Sequence, residues 1–389
     1  MRVLISGAGI AGPTLAYWLD HYGFEITIVE KAPRLRTGGY VIDFWGTGFD
    51  VAGRMNLLEE VRAKGYRVEE VKVVDRTGKR VAGFPASAFA RATAGRYVSL
   101  PRGDLAESIF ERIKNRVETI FCDGVSTMAE GSSGVRVSFA SGVERDFDLV
   151  VGADGQHSRV RELAFGPQDQ FERFLGYKAA AFETDGYSPR DELVYVMFTE
   201  VGQQVVRFSM RDNRTMFLFT FSDANPDSGD LPAQRALLRR RFGASGWECP
   251  AILDALDRAG EVYFDRVSQI RMHAWSRGRV GLVGDAASCV SLLAGQGSAL
   301  AMAGAYILAG ELHRAQDDYR SAFARYQALF APLIRSKQKS ALRFAGAFAP
   351  QSRFALWLRN RIFDLMNVGW IGNLAVGRDL ADKITLPLY

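Results

Sequence analysis

The chain is poor in the residues that would mark several protein classes. It has 3 cysteines in 389 residues, and they stand far apart at Cys122, Cys249 and Cys289. No CxxC or Cys/His spacing results, so neither a disulfide framework nor a structural metal site is expected. Its 4 histidines, His21, His157, His273 and His313, show no metal-ligand spacing either. Prolines number only 12, and 48% of the residues are hydrophobic against 24% charged, which excludes a disordered or low-complexity chain. The net charge of +5 comes from scattered Lys and Arg, with no basic stripe for a nucleic acid. No apolar run approaches the ~20 residues of a membrane span. A strand-like "RVLISG" follows Met1 directly, so no signal peptide is expected and a cytoplasmic protein is. There is no GxSxG nucleophile elbow, which argues against acyl transfer.

Glycine is abundant, and its first cluster is informative. "RVLIS" ends at Gly7, and Gly7-Ala-Gly9-Ile10-Ala11-Gly12 leads into "PTLAYWLDHYG", a helical pattern. In a Rossmann turn Gly7 permits the bend, Gly9 lets a pyrophosphate approach the backbone, and Gly12 lets helix and sheet pack closely. Pro13 falls in the first helical turn, where N–H groups lack partners anyway. Gly23 follows the helix, and "EITIVE" forms a second strand ending at Glu30. A carboxylate there accepts hydrogen bonds from a ribose and repels a 2′-phosphate, so the turn suits the adenosine end of FAD or NAD and not NADP.

Two later stretches repeat the strand-then-acid pattern. "FDLVVGADG" places Asp154-Gly155 at the end of an apolar strand, and "RVGLVGD" places Gly284-Asp285 at the end of another. Ligands of open α/β sheets bind outside such strand ends. Gly295-Gln296-Gly297 then precedes a helix of small residues, whose N–H groups and dipole suit a negatively charged group.

These motifs, in this order, resemble the FAD-dependent monooxygenases of the p-hydroxybenzoate hydroxylase type. Within them the length, "GGYVIDFWG", "GDAAS…GQG" and "GAYILAGEL" are most similar to the short tetracycline-inactivating monooxygenases. The resemblance implies tightly bound, non-covalent FAD, with NADPH or NADH as a transient co-substrate, since no second GxGxxG is present. It implies O₂ chemistry through a flavin C4a-hydroperoxide on an aromatic or polycyclic small molecule. Arg102 in "SLPRGDLAESI" is the implied FAD contact, Glu30 and Lys31 close the adenosine side, and Asp285 serves the ribityl or diphosphate region. Asp43, after the glycines at 38 and 39, matches a position beside the flavin; Arg36 matches an arginine associated with the nicotinamide. The chain departs from the family after Asp285, where "SCVSLLAGQG" lacks the usual proline.

The expected fold is α/β: a Rossmann-like FAD-binding domain (residues 1–70, 96–168 and 269–317) with an inserted β-sheet substrate domain (71–95 and 169–268) and C-terminal helices (318–389). "TMFLFTFSD" is apolar on both faces, one to pack on helices and one to roof a cavity. Arg207, Met210, Phe217 and Phe219 are the candidate substrate contacts. The 71–95 insert reads as a hairpin of the same sheet. The last amphipathic stretch, "SRFALWLRNRIFDLMNVGWIGNLAV", is expected to pack on the body or cap the pocket, with membrane-surface contact as the alternative. Three functional alternatives stand beside hydroxylation: a flavin reductase or dehydrogenase of the same fold, a flavoprotein that sequesters a polycyclic ligand, and a plain NAD dehydrogenase, against which the late Gly284-Asp285 segment argues. A monomer or homodimer is expected.

Overall fold

A computed structural model describes residues 1–36, 40–87, 91, 93, 95–227, 229–367 and 384–389, with only the backbone at 343–345 and 347. The strands Arg2–Ser6, Glu25–Glu30 and Leu149–Gly152 are short and buried along most of their length. Strands apolar on both faces need cover on both, and parallel pairing between helices provides it. They form the centre of a six-stranded sheet ordered Ser276–Arg277, Val280–Leu282, Leu149–Gly152, Arg2–Ser6, Glu25–Glu30, Glu118–Phe121. Its neighbours pair in parallel except the two-residue edge strand Ser276–Arg277. The helix Ala11–His21 packs against the helix Gly297–Ala315, with the Trp18 and Tyr306 rings meeting edge-on at 4.9 Å. A small three-stranded antiparallel sheet, Val125–Glu130, Val135–Phe139 and Glu144–Phe147, adjoins this unit and was not expected from the sequence.

The second sheet has seven strands, ordered Tyr263–Ile270, Glu172–Asp185, Arg214–Ser222, Gln203–Ser209, Val194–Glu200, Glu70–Val74, Arg80–Pro85. The hairpin expected from the insert forms its edge, Glu70–Val74 against Arg80–Pro85. Each face of this sheet meets a different layer. Phe217, Phe219 and Phe221 join Leu238, Phe242, Ile252 and Leu256 of the helices Leu231–Phe242 and Cys249–Arg258. Met216 points the other way and clusters with Val41, Tyr66, Phe208 and Met210, toward the two-stranded sheet of Val41–Trp45 and Tyr97–Pro101.

The helix Tyr319–Phe348 spans both units: Phe323, Tyr326 and Phe330 belong to the core of the first, and Phe348 packs with Ala179 and Val267 of the second. The helix Arg353–Leu365 then lies on the inner face of the seven-stranded sheet. Phe363 meets Phe84 edge-on at 5.1 Å, and Arg359 donates to Thr199 Oγ1 at 3.0 Å. Its outer face leaves Phe354, Trp357, Leu358, Ile362 and Leu365 exposed. The part of the last expected amphipathic stretch beyond 367 lies outside the described residues. No helix among the described residues is long and apolar enough to cross a membrane. Residues 384–389 return to the first unit, where Tyr389 Oη donates to Glu311 Oε1 at 2.8 Å.

Candidate cofactor and substrate site

The three glycine-acid motifs meet in one crevice. Gly7 sits at φ +110, and a Cβ there would lie 2.6 Å from the Ala153 carbonyl oxygen and 2.9 Å from Asp154 Cα. A Cβ on Gly12 would lie 1.9 Å from the Gly7 carbonyl oxygen, so this position brings the helix onto its own strand turn. Gly284 sits at φ +63, its virtual Cβ 2.9 Å from Ala11 Cβ and 3.6 Å from Ala301 Cβ. Gly9 is different. Its virtual Cβ meets only Arg102 Nη2, at 3.5 Å, so Gly9 faces open space beside an arginine. Arg102 is fixed there at the head of the helix Arg102–Glu111 by its N–H donating to the Tyr40 carbonyl at 3.1 Å.

The donor set around this crevice suits a dinucleotide. No side chain caps the helix Ala11–His21 or the helix Gly297–Ala315. Their first-turn amides and dipoles are therefore left for an anion. Glu30 closes the second strand and accepts from the Ala8 N–H at 2.8 Å and the Ala32 N–H at 3.0 Å. Arg36 stands 3.8 Å from it at the surface, and Lys31 is exposed. Asp285 sits opposite Arg102; burial pushes its carboxyl above the usual range and Arg102 pulls it back. The virtual Cβ of Gly297 lies 4.0 Å from Asp285 Oδ1, so the late turn borders the same space, and Gly295 at φ +64 packs over Trp45. Gln296 is buried. The glycines at 38 and 39 lie outside the described residues.

Asp154 is bonded within its own loop. Its oxygens accept from the Ser158 hydroxyl, the Arg159 N–H at 2.8 Å and the Val160 N–H at 3.1 Å. It takes the first two amides of the helix Arg159–Phe165, whose N-cap is Ser158, and shapes the loop, with Gly155 at φ +82 making the turn.

Asp43 lies on the strand Val41–Trp45, paired with Tyr97–Pro101. Ser99 Oγ donates to its Oδ1 at 2.6 Å and Tyr97 Oη at 2.8 Å, while Tyr195 reaches it from the seven-stranded sheet. Burial raises its pKa, and these hydroxyls oppose the shift. Sequence reading placed Asp43 here but missed its partners, which lie some 50 and 150 positions away with no local pattern. It also missed Tyr40 and Tyr263, whose rings stand 5.5 Å apart beside Arg102 and Asp285.

The candidate substrate contacts divide between the two faces of the seven-stranded sheet. Phe217 and Phe219 are fully buried on the helix-covered face, where Phe219 stacks on Phe182 and meets Phe242 edge-on, and the Phe217 ring lies tilted against Phe182. Arg207 shares that outer face. It pairs with Asp191, lies 3.5 Å from Glu248, and borders an outer cleft of about 350 Å³ with Lys72 and Trp247. Alternation along the strand reverses each neighbour, so the inner face belongs to Tyr195, Phe208, Met216 and Leu218. Met210 alone of the four candidates joins them. The proline-free stretch after Asp285 has its own backbone: Ser291 takes φ 106. A proline, locked near −65°, cannot occupy that position.

The parallel sheet with its glycine turn and the uncapped helices define a dinucleotide-binding oxidoreductase fold. The comparisons with known proteins make this specific. The chain matches the family described as "FAD binding domain" over residues 1–321. It belongs to the FAD-dependent monooxygenases of the p-hydroxybenzoate hydroxylase type. It is 41% identical over 345 residues to an uncharacterized protein of Mycobacterium tuberculosis, covering 86% of this chain and 91% of that one. It is 30% identical over 393 residues to a flavin-dependent monooxygenase of Legionella longbeachae, covering 100% and 98%. The crystal structure of tetracycline destructase Tet(55) superposes with a TM-score of 0.85 at 32% identity, covering 100% of this chain and 98% of that one. Klebsiella pneumoniae HpxO complexed with FAD and uric acid shares the fold, with a TM-score of 0.80 at 23% identity and coverage of 98% and 96%.

Proposed function

We propose that the chain is an NAD(P)H-consuming hydroxylase of an aromatic or polycyclic small molecule, with tetracycline-like compounds among the candidates. One observation carries the reading: Gly9, Arg102, Gly284 and Asp285, far apart in sequence, border one crevice between two uncapped helices. FAD fits that crevice, because space beside Gly9 is open and the donors are amide N–H groups and a guanidinium. When bound, FAD supplies the redox and oxygen-transfer chemistry.

The chain's residues do the rest. Amides of Ile10, Ala11 and Gly12, with Arg102, hold the diphosphate; Glu30 faces the adenosine ribose; Asp285 faces the ribityl chain. The amide-rich turn Gly295–Gly297 and the helix dipole behind it stabilise negative charge on the ring. Arg36, exposed at the rim, is placed to meet an anionic nicotinamide cofactor that visits and leaves. Tyr195 and Leu218, half-buried and backed by the buried Phe208, Met210 and Met216, present aromatic and aliphatic surface suited to a flat apolar substrate. The helix Arg353–Leu365 flanks that wall and helps exclude water. On this reading residues 1–70, 96–168 and 269–317 serve the cofactor, 71–95 and 169–268 the substrate, and the protein works in the cytoplasm.

The test is a panel of phenols, polyketides and tetracyclines scored for NAD(P)H consumption and for products heavier by one oxygen atom, using labelled O₂. Substrate-stimulated consumption with label in the product supports the reading. Reductant consumption with unlabelled, hydrogenated product refutes hydroxylation.

A further inference from the structure

The loop between Asp285 and Gly295 is held from outside its own unit. Gln338, on the helix Tyr319–Phe348, is buried and donates through one Nε2 to two carbonyls: Ile270 at 2.8 Å and Cys289 at 3.1 Å. Gln269, also buried, answers it. Its Nε2 donates to the Gln338 carbonyl at 2.8 Å and to the Val290 carbonyl at 3.2 Å. The Ile270 N–H donates to Cys289 as well, at 3.0 Å. Two consecutive loop carbonyls, Cys289 and Val290, are thus fixed by amides from a different sheet and a different helix. The next residue is Ser291 at φ 106, a conformation costly for any side chain and kept only where its surroundings impose it. Leu293, two residues on, is wedged against Ala179 and Val267 of the seven-stranded sheet.

We infer that Gln338 is a positioning residue: through Cys289 it sets the backbone path from Asp285 to the Gly295–Gly297 turn, and so the electrostatic environment of the flavin ring. The inference rests on the assignment of FAD to this crevice. It makes the long C-terminal helix part of the flavin site although that helix carries none of the glycine-acid motifs. Gln338 acts only through the loop backbone, whose amide directions fix the local field.

The same helix supplies a matched control. Gln327 makes the same kind of amide clamp about three turns earlier on the helix, donating to the His273 carbonyl at 2.7 Å and accepting from the Trp275 N–H at 2.9 Å. The experiment compares Gln338→Met and Gln327→Met, both near-isosteric losses of an amide, as FAD-loaded proteins. Read are thermal midpoint, flavin absorption bands, and midpoint potential by anaerobic dye equilibration. Both variants should lose stability. Only Gln338→Met should displace the flavin bands and the potential, and Gln338→Asn, which keeps the amide on a shorter arm, should lie between it and the parent. Parent-like bands and potential in Gln338→Met, with stability lowered as in Gln327→Met, overturn the inference and leave Gln338 a structural clamp. Equal spectral shifts in both variants overturn it too. If Gln338→Met yields no folded protein, Gln338→Asn carries the same two readouts. Failure of the parent itself to take up FAD refutes the assignment of the crevice instead, and is seen before any variant is compared.

Discussion

Replacing Gly9 by alanine separates cofactor binding from folding. The new methyl would meet only Arg102 Nη2, at 3.5 Å, an ordinary contact. Gly9 also lies outside the left-handed region, so alanine adopts its backbone without strain. Stability of the flavin-free protein should therefore stay within ~0.5 kcal/mol of the parent, or rise by ~0.4–1 kcal/mol through lost unfolded-state freedom. The methyl nonetheless occupies the space a diphosphate needs. Pushing the diphosphate off two amides forfeits charge-assisted hydrogen bonds of ~1.5–3 kcal/mol each. At 1.4 kcal/mol per decade, FAD affinity should fall by roughly two orders of magnitude or more. Gly12→Ala supplies the contrast. Its methyl would lie 1.9 Å from the Gly7 carbonyl oxygen, so helix and strand must part, at an overpacking cost of ~1–3 kcal/mol. Titration of deflavinated protein with FAD, followed by flavin fluorescence, gives the affinities; thermal melts of the same preparations give the stabilities. Gly9→Ala binding FAD as tightly as the parent would refute the crevice assignment, whatever Gly12→Ala does.

Other consequences can be checked with the same protein. Phe219→Ala should cost ~3–5 kcal/mol, because the ring is fully buried between Phe182 and Phe242, yet leave FAD affinity unchanged; a changed affinity at parental stability would contradict its core role. Asp43 has a folded pKa raised by burial, so the folded state binds more protons and its carboxyl destabilises as pH rises past the ordinary ~3.9. Asp43→Asn should accordingly gain stability over the parent between acid and neutral pH in flavin-free melts; a gap that does not widen with pH would contradict this. His157 has a folded pKa raised, chiefly by its hydrogen bond to Asp265, and contributes stability that is complete below ~6.5 and lost as pH rises through the folded value. His157→Gln should therefore be less stable than the parent at acid pH by at most ~1 kcal/mol, the ring being half exposed, and equal to it at alkaline pH.

What the sequence disclosed depended on how local the cause was. Gly7, Gly9 and Gly12 act within one turn of chain, so their spacing announces the turn, and Glu30 follows one strand later. Strand ends at Asp154 and Asp285 were equally visible, because an apolar run stops there. Which face of Thr215–Phe221 meets which layer was not visible. Alternation says that both faces are buried, but only tertiary packing gives Phe217 and Phe219 to the helices and Met216 to the side of Val41 and Tyr66. The same holds for Arg207, drawn outward by Asp191 and Glu248. Pairings such as Asp43 with Tyr195, or Gln338 with Cys289, join residues with no shared period, so no pattern in the chain announces them.

The most direct test of the central claim is the flavin content of the purified protein after reconstitution with FAD. Released by denaturation and identified by chromatography and mass, the cofactor should be FAD at one molecule per chain. A protein that remains colourless through reconstitution, while melting cooperatively as a folded chain, would contradict the account.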